Sequence, residues 1–256
     1  GPAVAGVVIG ALGLPVAYLI DVVSIGAMLV AALSLPTILP EGGHENPAGW
    51  EAIREGFRFV RDRPLIQSTF VIDLIAMIFG MPRALFTFLI VDQFQQSEAL
   101  VGLLFSAPAI GALLGALTSG WTKHVDRRGL AVIWAVAAWG ASIAVFGLSG
   151  THLVLAMVAL AVAGWADVVS AIFRSTILQL EVPDRLRGRL SGIFILVVAG
   201  GPRLGDLEAG IVARAVSPAF SVVSGGLACI AGAGLVAAGY PSLRGYRASA
   251  RNRATD

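Results

Sequence analysis

Charged residues are scarce in this sequence: 13% of its 256 residues are charged, whereas 57% are hydrophobic. A typical soluble domain is about 25% charged, and a chain of this length would build only one or two soluble domains. Such domains could not bury this much apolar surface, and the mean hydropathy of +0.83 agrees with that judgement. The shortage of charge therefore excludes a soluble globular protein and predicts a protein whose solvent is a lipid bilayer.

Cysteine, lysine and histidine are also rare. The one cysteine, Cys229, lies in an apolar segment, which leaves no intramolecular disulfide and no cysteine-based metal site. The one lysine, Lys123, is not part of a G-x-x-x-x-G-K-[ST] phosphate-binding loop, and no second histidine completes the zinc motif that His44-Glu45 begins. No catalytic set of side chains is present either. We therefore expect no enzyme activity, no cofactor and no metal, and the net charge of +2 does not indicate a nucleic-acid partner.

Long apolar runs dominate the sequence instead. A helix of about 20 mostly apolar residues crosses a bilayer, and the segments of that length lie near 14–38, 66–91, 99–121, 130–149, 152–177, 190–212 and 217–239. Residues 1–13 are apolar but too short to cross, so we expect them to be the end of a helix whose beginning is missing from a truncated chain. The predicted fold is all-α, a polytopic transmembrane helical bundle with about seven full spans and a partial first helix.

Basic residues mark every second loop between these predicted spans. The basic loops and the tail hold 14 of the 18 basic residues, and they are 39–65, 121–130, 178–190 and the residues after 240. The alternate loops hold none. By the positive-inside rule we expect the basic loops and the C-terminus to face the cytoplasm, in a multi-pass protein of the cell inner (cytoplasmic) membrane.

The longest loop carries a helical pattern of its own. Asn46 suits a helix cap and Pro47 suits the first helical position. Apolar side chains then recur at helical spacing opposite a charged face, at Trp50, Ile53, Phe57 and Val60. This helix is too short and too polar to span. We expect it either on the cytoplasmic membrane surface or packed on loops of the protein itself.

Two G-x-x-x-G patterns lie on apolar segments, at Gly6–Gly10 and Gly111–Gly115. Small residues at this spacing let two helix backbones approach closely. The face they form is either a dimer contact or, more commonly in a polytopic protein, a contact between helices of one chain.

Ionisable residues inside the predicted spans are the next signal, because each costs about 2.5–3.5 kcal/mol near the bilayer centre on insertion scales. They are Asp21, Asp73, Arg83, Asp167, Arg174, Arg203, Asp206 and Glu208. Several together predict charge pairing and a polar cavity. Arg203 and Asp206 share a helix face and could pair, whereas Asp167 suits either a bond to a neighbouring helix or a proton site. Arg174 is expected near a span end, with its guanidinium extended towards water.

One stretch, "GGPRLGDLEAG" at 200–210, combines helix-breaking residues with charges. We expect Gly200, Gly201, Pro202 and Gly205 to break the helix around Arg203. Irregular backbone at membrane depth is tolerated where it is buried in protein or lines a cavity. The stretch therefore predicts a binding or coupling region of a transport pathway. The alternative is a charged hinge that neighbouring helices satisfy.

Several motifs resemble those of the major facilitator superfamily. "GWTKHVDRRG" at 120–129 resembles its G-x-x-x-D-R-x-G loop with a longer gap before the aspartate, and "GPAVAG" at the start resembles a glycine-proline signature on the fifth helix of its exporters. "VPDRLRGRLSG" at 182–192 and the stretch at 200–210 resemble a branch of bacterial exporters of the enterobactin-exporter type, related to the transmembrane secretion effectors.

The resemblance implies a domain map of twelve helices in two halves. Residues 1–38 would end the N-terminal six-helix half with part of helix five and helix six, and 39–65 would be the cytoplasmic linker with its amphipathic helix. Residues 66–240 would form the C-terminal half, helices seven to twelve, and 241–256 a cytoplasmic tail. The missing N-terminal helices of the same protein would then be a partner of this chain.

The resemblance also implies a function: proton-coupled efflux of small molecules such as siderophores or drugs, by an antiporter that alternates access around a midplane site. The implied cytoplasmic gate comprises Gly120, Asp126, Arg127, Arg128, Gly129, Arg185, Arg187 and Arg189. The expected substrate and proton pathway comprises Arg203, Asp206, Glu208, Asp73, Arg83 and Asp167. The alternative is a truncated membrane protein or partner subunit that transports nothing and packs against another transporter half.

Overall fold

The computed structural model describes residues 13–35, 50–80, 85, 89 and 98–248, a few of them (14, 50–53, 98–103, 105 and 185) as backbone alone. Within these ranges the chain is helical and contains no strand, which confirms the all-α prediction. In chain order the helices are α1 (Leu14–Ser34), α2 (Trp50–Arg61), α3 (Pro64–Phe79), α4 (Glu98–Leu117), a 3-10 helix (Ser119–His124), α5 (Arg128–Leu148), α6 (Leu153–Glu181), α7 (Asp184–Ala215), α8 (Pro218–Gly239) and the short α9 (Pro241–Arg244).

Five of these helices are long and apolar enough to cross a membrane: α1, α5, α6, α7 and α8. Helix α3 and the second half of α4 are apolar but shorter. They overlap the predicted spans at 66–91 and 99–121; the first span runs into residues outside the described ranges, and the start of the second is described as backbone alone. The multi-pass architecture is therefore confirmed, and the count of seven full spans stays a prediction.

Proline sets the start of several helices. Pro64 and Pro218 stand in the first turn of α3 and α8, where the N–H group that proline lacks would have no helical partner. At α8 the preceding Ser217 also caps the helix, because its hydroxyl oxygen accepts a hydrogen bond from the backbone N–H of Phe220 at 3.2 Å. These local signals fix where each helix enters the bundle.

Glycine brings four of the helices into backbone contact. A Cβ added to Gly111 of α4 would overlap the carbonyl oxygen of Ala161 on α6. Gly140 of α5 and Gly226 of α8 face each other, and a Cβ on Gly140 would lie 2.6 Å from the carbonyl oxygen of Gly226. The Gly111–Gly115 pattern thus packs helices of one chain, as expected for the commoner use of this motif, and Gly6–Gly10 lies outside the described residues.

The main hydrophobic core lies between these helices and α3. Its fully buried side chains include Ile72, Val132, Phe173 and Val222, one from each of α3, α5, α6 and α8. A smaller cluster, centred on Ile66, joins the start of α3 to the junction between α6 and α7. Helix α3 therefore belongs to both clusters, and α7 contacts the rest of the bundle through α3 and through α8, where the hydroxyl of Ser221 donates to the carbonyl of Ala209 at 3.0 Å.

The predicted helix break in α7 is wrong. Helix α7 continues through Gly200, Gly201, Pro202 and Gly205 without interruption. Gly201 and Gly205 face α3: a Cβ added to Gly201 would lie 2.7 Å from Cβ of Met77, and one on Gly205 would lie 2.6 Å from the carbonyl oxygen of Ile78. These glycines allow the two helices to approach, and one proline inside a long membrane helix is tolerated when its neighbours satisfy the freed backbone group.

Helix α1 stands apart from this packing. None of its membrane-length window is buried by the described residues, and its large apolar side chains, such as Val22 and Leu33, stay exposed. A helix that is apolar on all sides requires lipid or other helices around it.

Candidate functional site

A buried ion pair joins α3 to α6. The guanidinium of Arg174 bonds the carboxylate of Asp73, with the two side chains 9% and 3% exposed. Asp73 is the one charged residue of α3, and Arg174 is the one basic residue of α6. Each charge offsets part of the desolvation cost of the other in an apolar bundle.

Two buried polar atoms at this pair lack hydrogen-bond partners. Within the described part of the chain, neither Nε of Arg174 nor the hydroxyl of Ser170, one turn away on α6, has a hydrogen-bond partner. Asp73, Arg174 and Ser175 also line a cavity of about 20 Å³, which is room for one water molecule. The site therefore combines unpartnered polar atoms with space for one water molecule.

The sequence reasoning misplaced Arg174. We expected its guanidinium to extend towards water, but the structure buries it against Asp73. Asp73 was the available signal, because a lone carboxylate inside an apolar helix requires a cation from another helix. Asp167, two turns away on α6, is half-buried, and both interpretations of it stay open. Arg83 lies outside the described residues.

The charges of α7 do not form one cluster. Arg203 is exposed, while Asp206 and Glu208 are half-buried. Since the helix is continuous, residues two apart point about 200° away from each other, so the two acids lie on different sides of α7. Arg203 and Asp206 share a side, as the sequence predicts.

The loop before α5 is attached to the C-terminal segment, residues 243–248. The carbonyl oxygen of Asp126 accepts a hydrogen bond from the backbone N–H of Ala248 at 2.9 Å, and the N–H of Gly129 donates to the carbonyl of Tyr246 at 3.5 Å. A Cβ on Gly129 would overlap the carbonyl oxygen of Leu243. The tight approach explains why glycine stands at this position of the motif.

The same C-terminal segment reaches α6, because the hydroxyl of Tyr246 donates to the carboxylate of Glu181 at 3.0 Å. Sequence reasoning predicted a charge-paired gate at Asp126, Arg127 and Arg128 and missed this backbone attachment. Arg127 is exposed and Arg128 is half-buried. Gly120 belongs to the 3-10 helix before the loop.

The arginines at the start of α7 bind two neighbouring elements. Nη2 of Arg187 donates to the carbonyl of Gln179 on α6 at 3.0 Å and lies 3.0 Å from the carboxylate of Asp184. Arg189 forms an ion pair with Glu55 of α2. The side chain of Arg185 lies outside the described part of the chain. The two described arginines thus tie the start of α7 to the end of α6 and to the linker helix.

The predicted linker helix is present as α2, although its predicted cap at Asn46 and Pro47 lies outside the described ranges. It packs on α7 rather than on loops: a Cβ on Gly56 would lie 3.3 Å from Cδ1 of Ile193. Phe57, about half exposed, points away from the bundle. One face of α2 therefore packs on α7, and an apolar edge of the helix stays exposed.

Comparison with known proteins is consistent with this architecture. A family model described as transmembrane secretion effector matches residues 1–250. The enterobactin exporters EntS of Escherichia coli O1:K1 / APEC, O139:H28 (strain E24377A / ETEC) and O9:H4 (strain HS) are each 31% identical over 199 residues, which is 77% of this chain and 47% of the relative. The chain spans about half the length of the curated relatives it matches.

Proposed function

Since the chain belongs to the transmembrane secretion effector family of the major facilitator superfamily, we propose that it forms part of a secondary active exporter. The exporter moves small molecules such as siderophores or drugs out across the cytoplasmic membrane, in exchange for protons. The buried Asp73–Arg174 pair is the main support, because ionisable groups inside membrane helices mark ion and substrate pathways. The exporter names of the relatives agree with this activity.

Asp73 is the proposed proton acceptor. Arginine keeps its charge at every physiological pH, so a proton that reaches this pair binds the carboxylate. Protonation removes the charge attraction between α3 and α6, and the position of the two helices is then coupled to proton binding. The small cavity beside the pair provides space for one water molecule that would deliver the proton.

The attached end of the bundle is the proposed cytoplasmic gate. The loop around Asp126, the C-terminal segment and the start of α7 all lie at the basic end of the helices, which the positive-inside rule assigns to the cytoplasm. Bonds such as Tyr246–Glu181 and Arg187–Gln179 hold helix ends together there. Opening towards the cytoplasm would require some of these bonds to break.

The rest of the transporter is proposed to cover α1 and the exposed side of α7. The uncovered surface of α1 and the greater length of the relatives support the missing N-terminal helices as the partner, in keeping with the predicted domain map. An antibody to the tail "GYRASARNRATD" would measure the size of the native protein in its own membranes. A band near twice 26.4 kDa is expected, whereas a band at 26.4 kDa would favour the partner subunit that transports nothing.

Transport itself is tested with the native protein in liposomes. An imposed pH gradient should drive movement of a catecholate siderophore or a lipophilic drug, and a proton ionophore should abolish it. Transport that survives the ionophore would refute proton coupling, and no transport of either compound class would refute the proposed substrates.

The α7 acids are tested in the same assay. Asp206→Asn combined with Glu208→Gln should abolish transport while the protein stays folded. Asp62→Asn is the matched control, since this exposed acid lies outside the spans. Normal transport by the double variant would remove Asp206 and Glu208 from the proposed pathway and leave Asp73 and Asp167 as its acids.

A further inference from the structure

A cleft of about 310 Å³ opens between the end of α6 and the start of α7. Leu178, Leu190 and Phe194 form much of its apolar wall, and Gln179 and Ser191 add polar groups. Ligand pockets for small molecules commonly begin at about 300 Å³ and combine an apolar lining with a few polar groups. The α6–α7 cleft has the size and the lining of such a pocket.

Arg187 is the one ionisable side chain that lines the cleft among the described residues. Its bonds to Gln179 and Asp184 both use Nη2. Within the described ranges, no contact occupies Nη1 or Nε of this half-exposed side chain. Asp184, whose carboxylate pairs with Nη2, does not line the cleft, so the cleft presents the remaining guanidinium donors, and these favour an anion.

The inner end of the cleft reaches the buried ion pair. Ser175, Leu178 and Phe194 line both the cleft and the small cavity beside Asp73 and Arg174. Arg174 lines this small cavity, and its buried Nε has no hydrogen-bond partner in the described part of the chain. A ligand that passes Phe194 would satisfy this donor with an acceptor oxygen.

We propose that the α6–α7 cleft binds an amphipathic organic anion. Its anionic group bonds Arg187 at the mouth, its apolar body packs on Leu190 and Phe194, and an acceptor atom at the inner end bonds Nε of Arg174. An exported compound and the anionic headgroup of a membrane lipid share this chemistry. The cleft deepens the proposed export function by giving the class of ligand, but its binding properties can be measured without transport.

Calorimetric titration of the native protein in an uncharged maltoside detergent tests the site. The probes are naphthalenesulfonate and its neutral isostere naphthalenesulfonamide, each corrected for uptake by empty micelles. We expect the sulfonate to bind about tenfold more tightly, as one charge-assisted hydrogen bond allows. Arg187→Gln should remove this preference, while Arg214→Gln, an exposed arginine at the far end of α7, should preserve it.

Filling the cleft gives a second measurement that does not depend on charge. Ser191→Trp should abolish binding of both probes, whereas Leu207→Trp, on an exposed part of α7, should leave binding unchanged. Equal affinity for the two probes, or undiminished binding by Ser191→Trp, would refute the site. Loss of binding with Leu207→Trp would refute it as well, because the probe would then bind elsewhere.

Competition experiments against the sulfonate probe identify the source of the anion. Displacement of the sulfonate by dihexanoyl phosphatidylglycerol but not by dihexanoyl phosphatidylcholine would support the cleft as a lipid site. Displacement by a compound that the protein exports would support it as a substrate site. If the cleft binds the probe but the protein exports nothing, the export function is refuted and the binding site is supported. If the protein exports but the cleft binds no probe, the binding site is refuted and the export function is supported.

Discussion

Two sides of this bundle hold their helices together by different means. On one side, α4 meets α6 and α5 meets α8 through glycines that place backbone on backbone. On the other, ion pairs connect α3 to α6 and α2 to α7, as Asp73–Arg174 and Glu55–Arg189 do, and glycines are used where α7 meets α3. The membrane-length window of α5 is 61% buried, against 22% for α7. We infer that the glycine side serves as a rigid scaffold and that the charged side holds the titratable groups.

Physical chemistry explains why the two means are separated. Apolar burial gives no drive between helices in lipid, so close backbone packing supplies dispersion contacts on the scaffold side. An ion pair depends instead on protonation and on the alignment of two side chains, so it can be switched.

The largest loss of stability is expected from breaking the buried pair. Asp73→Leu leaves a buried guanidinium that cannot lose its proton, and such a change costs about 3–5 kcal/mol. Arg174→Met should cost less, because the remaining carboxyl group can take up a proton. The fraction of monodisperse protein after heating in detergent measures both.

The double variant Asp73→Leu/Arg174→Met is the control for this asymmetry. It removes both charges and should recover most of the loss, since apolar replacement of a buried pair is often neutral. A double variant no more stable than Asp73→Leu would show that the pair holds α3 and α6 by geometry rather than by charge compensation.

The next largest effect is expected on the glycine side. Gly111→Ala places a methyl group against the carbonyl oxygen of Ala161, which must separate α4 from α6 at a cost of about 2–3 kcal/mol. A thermal unfolding midpoint in detergent measures this change. Gly234→Ala of α8 is the matched control, because nothing lies within 4 Å of an added Cβ there; an equal loss at both positions would disprove the packing explanation.

The hydrogen bond between Tyr246 and Glu181 should contribute less. Tyr246→Phe keeps the ring and removes the donor to a carboxylate, with an expected loss of about 1.5 kcal/mol. Faster hydrogen exchange should appear at the C-terminal segment and at Gly129, whose backbone the segment bonds. Tyr18→Phe on the exposed α1 should change neither quantity. Unchanged hydrogen exchange at Gly129 in Tyr246→Phe would show that the loop does not depend on the side chain of Tyr246.

The smallest expected effect concerns α2. Glu55→Gln should weaken its half-buried ion pair with Arg189 by about 1 kcal/mol and increase hydrogen exchange along α2 alone. Asp62→Asn breaks a more exposed pair with Arg61 and should leave this exchange unchanged. Equal exchange in the two variants would mean that apolar packing, not charge, holds α2 on α7.

Hydropathy predicts most of the fold, because the apolar length of each segment indicates whether it enters the bilayer without reference to the other segments. The periodicity of α2 is an equally local signal. Pairing between distant helices was not local: nothing near Arg174 in the sequence indicates that Asp73 will meet it. Gly201 and Gly205 show the same limit, since glycine weakens an isolated helix but strengthens one that packs on α3.

The attachment of the C-terminal segment has a consequence for how the protein is made. The loop around Gly129 is synthesised well before the backbone atoms that it bonds at Tyr246 and Ala248. At about 5–20 residues per second, the wait is on the order of ten seconds. This end of the bundle therefore stays open until residues 243–248 have been synthesised, and a nascent chain that stops before them never closes it.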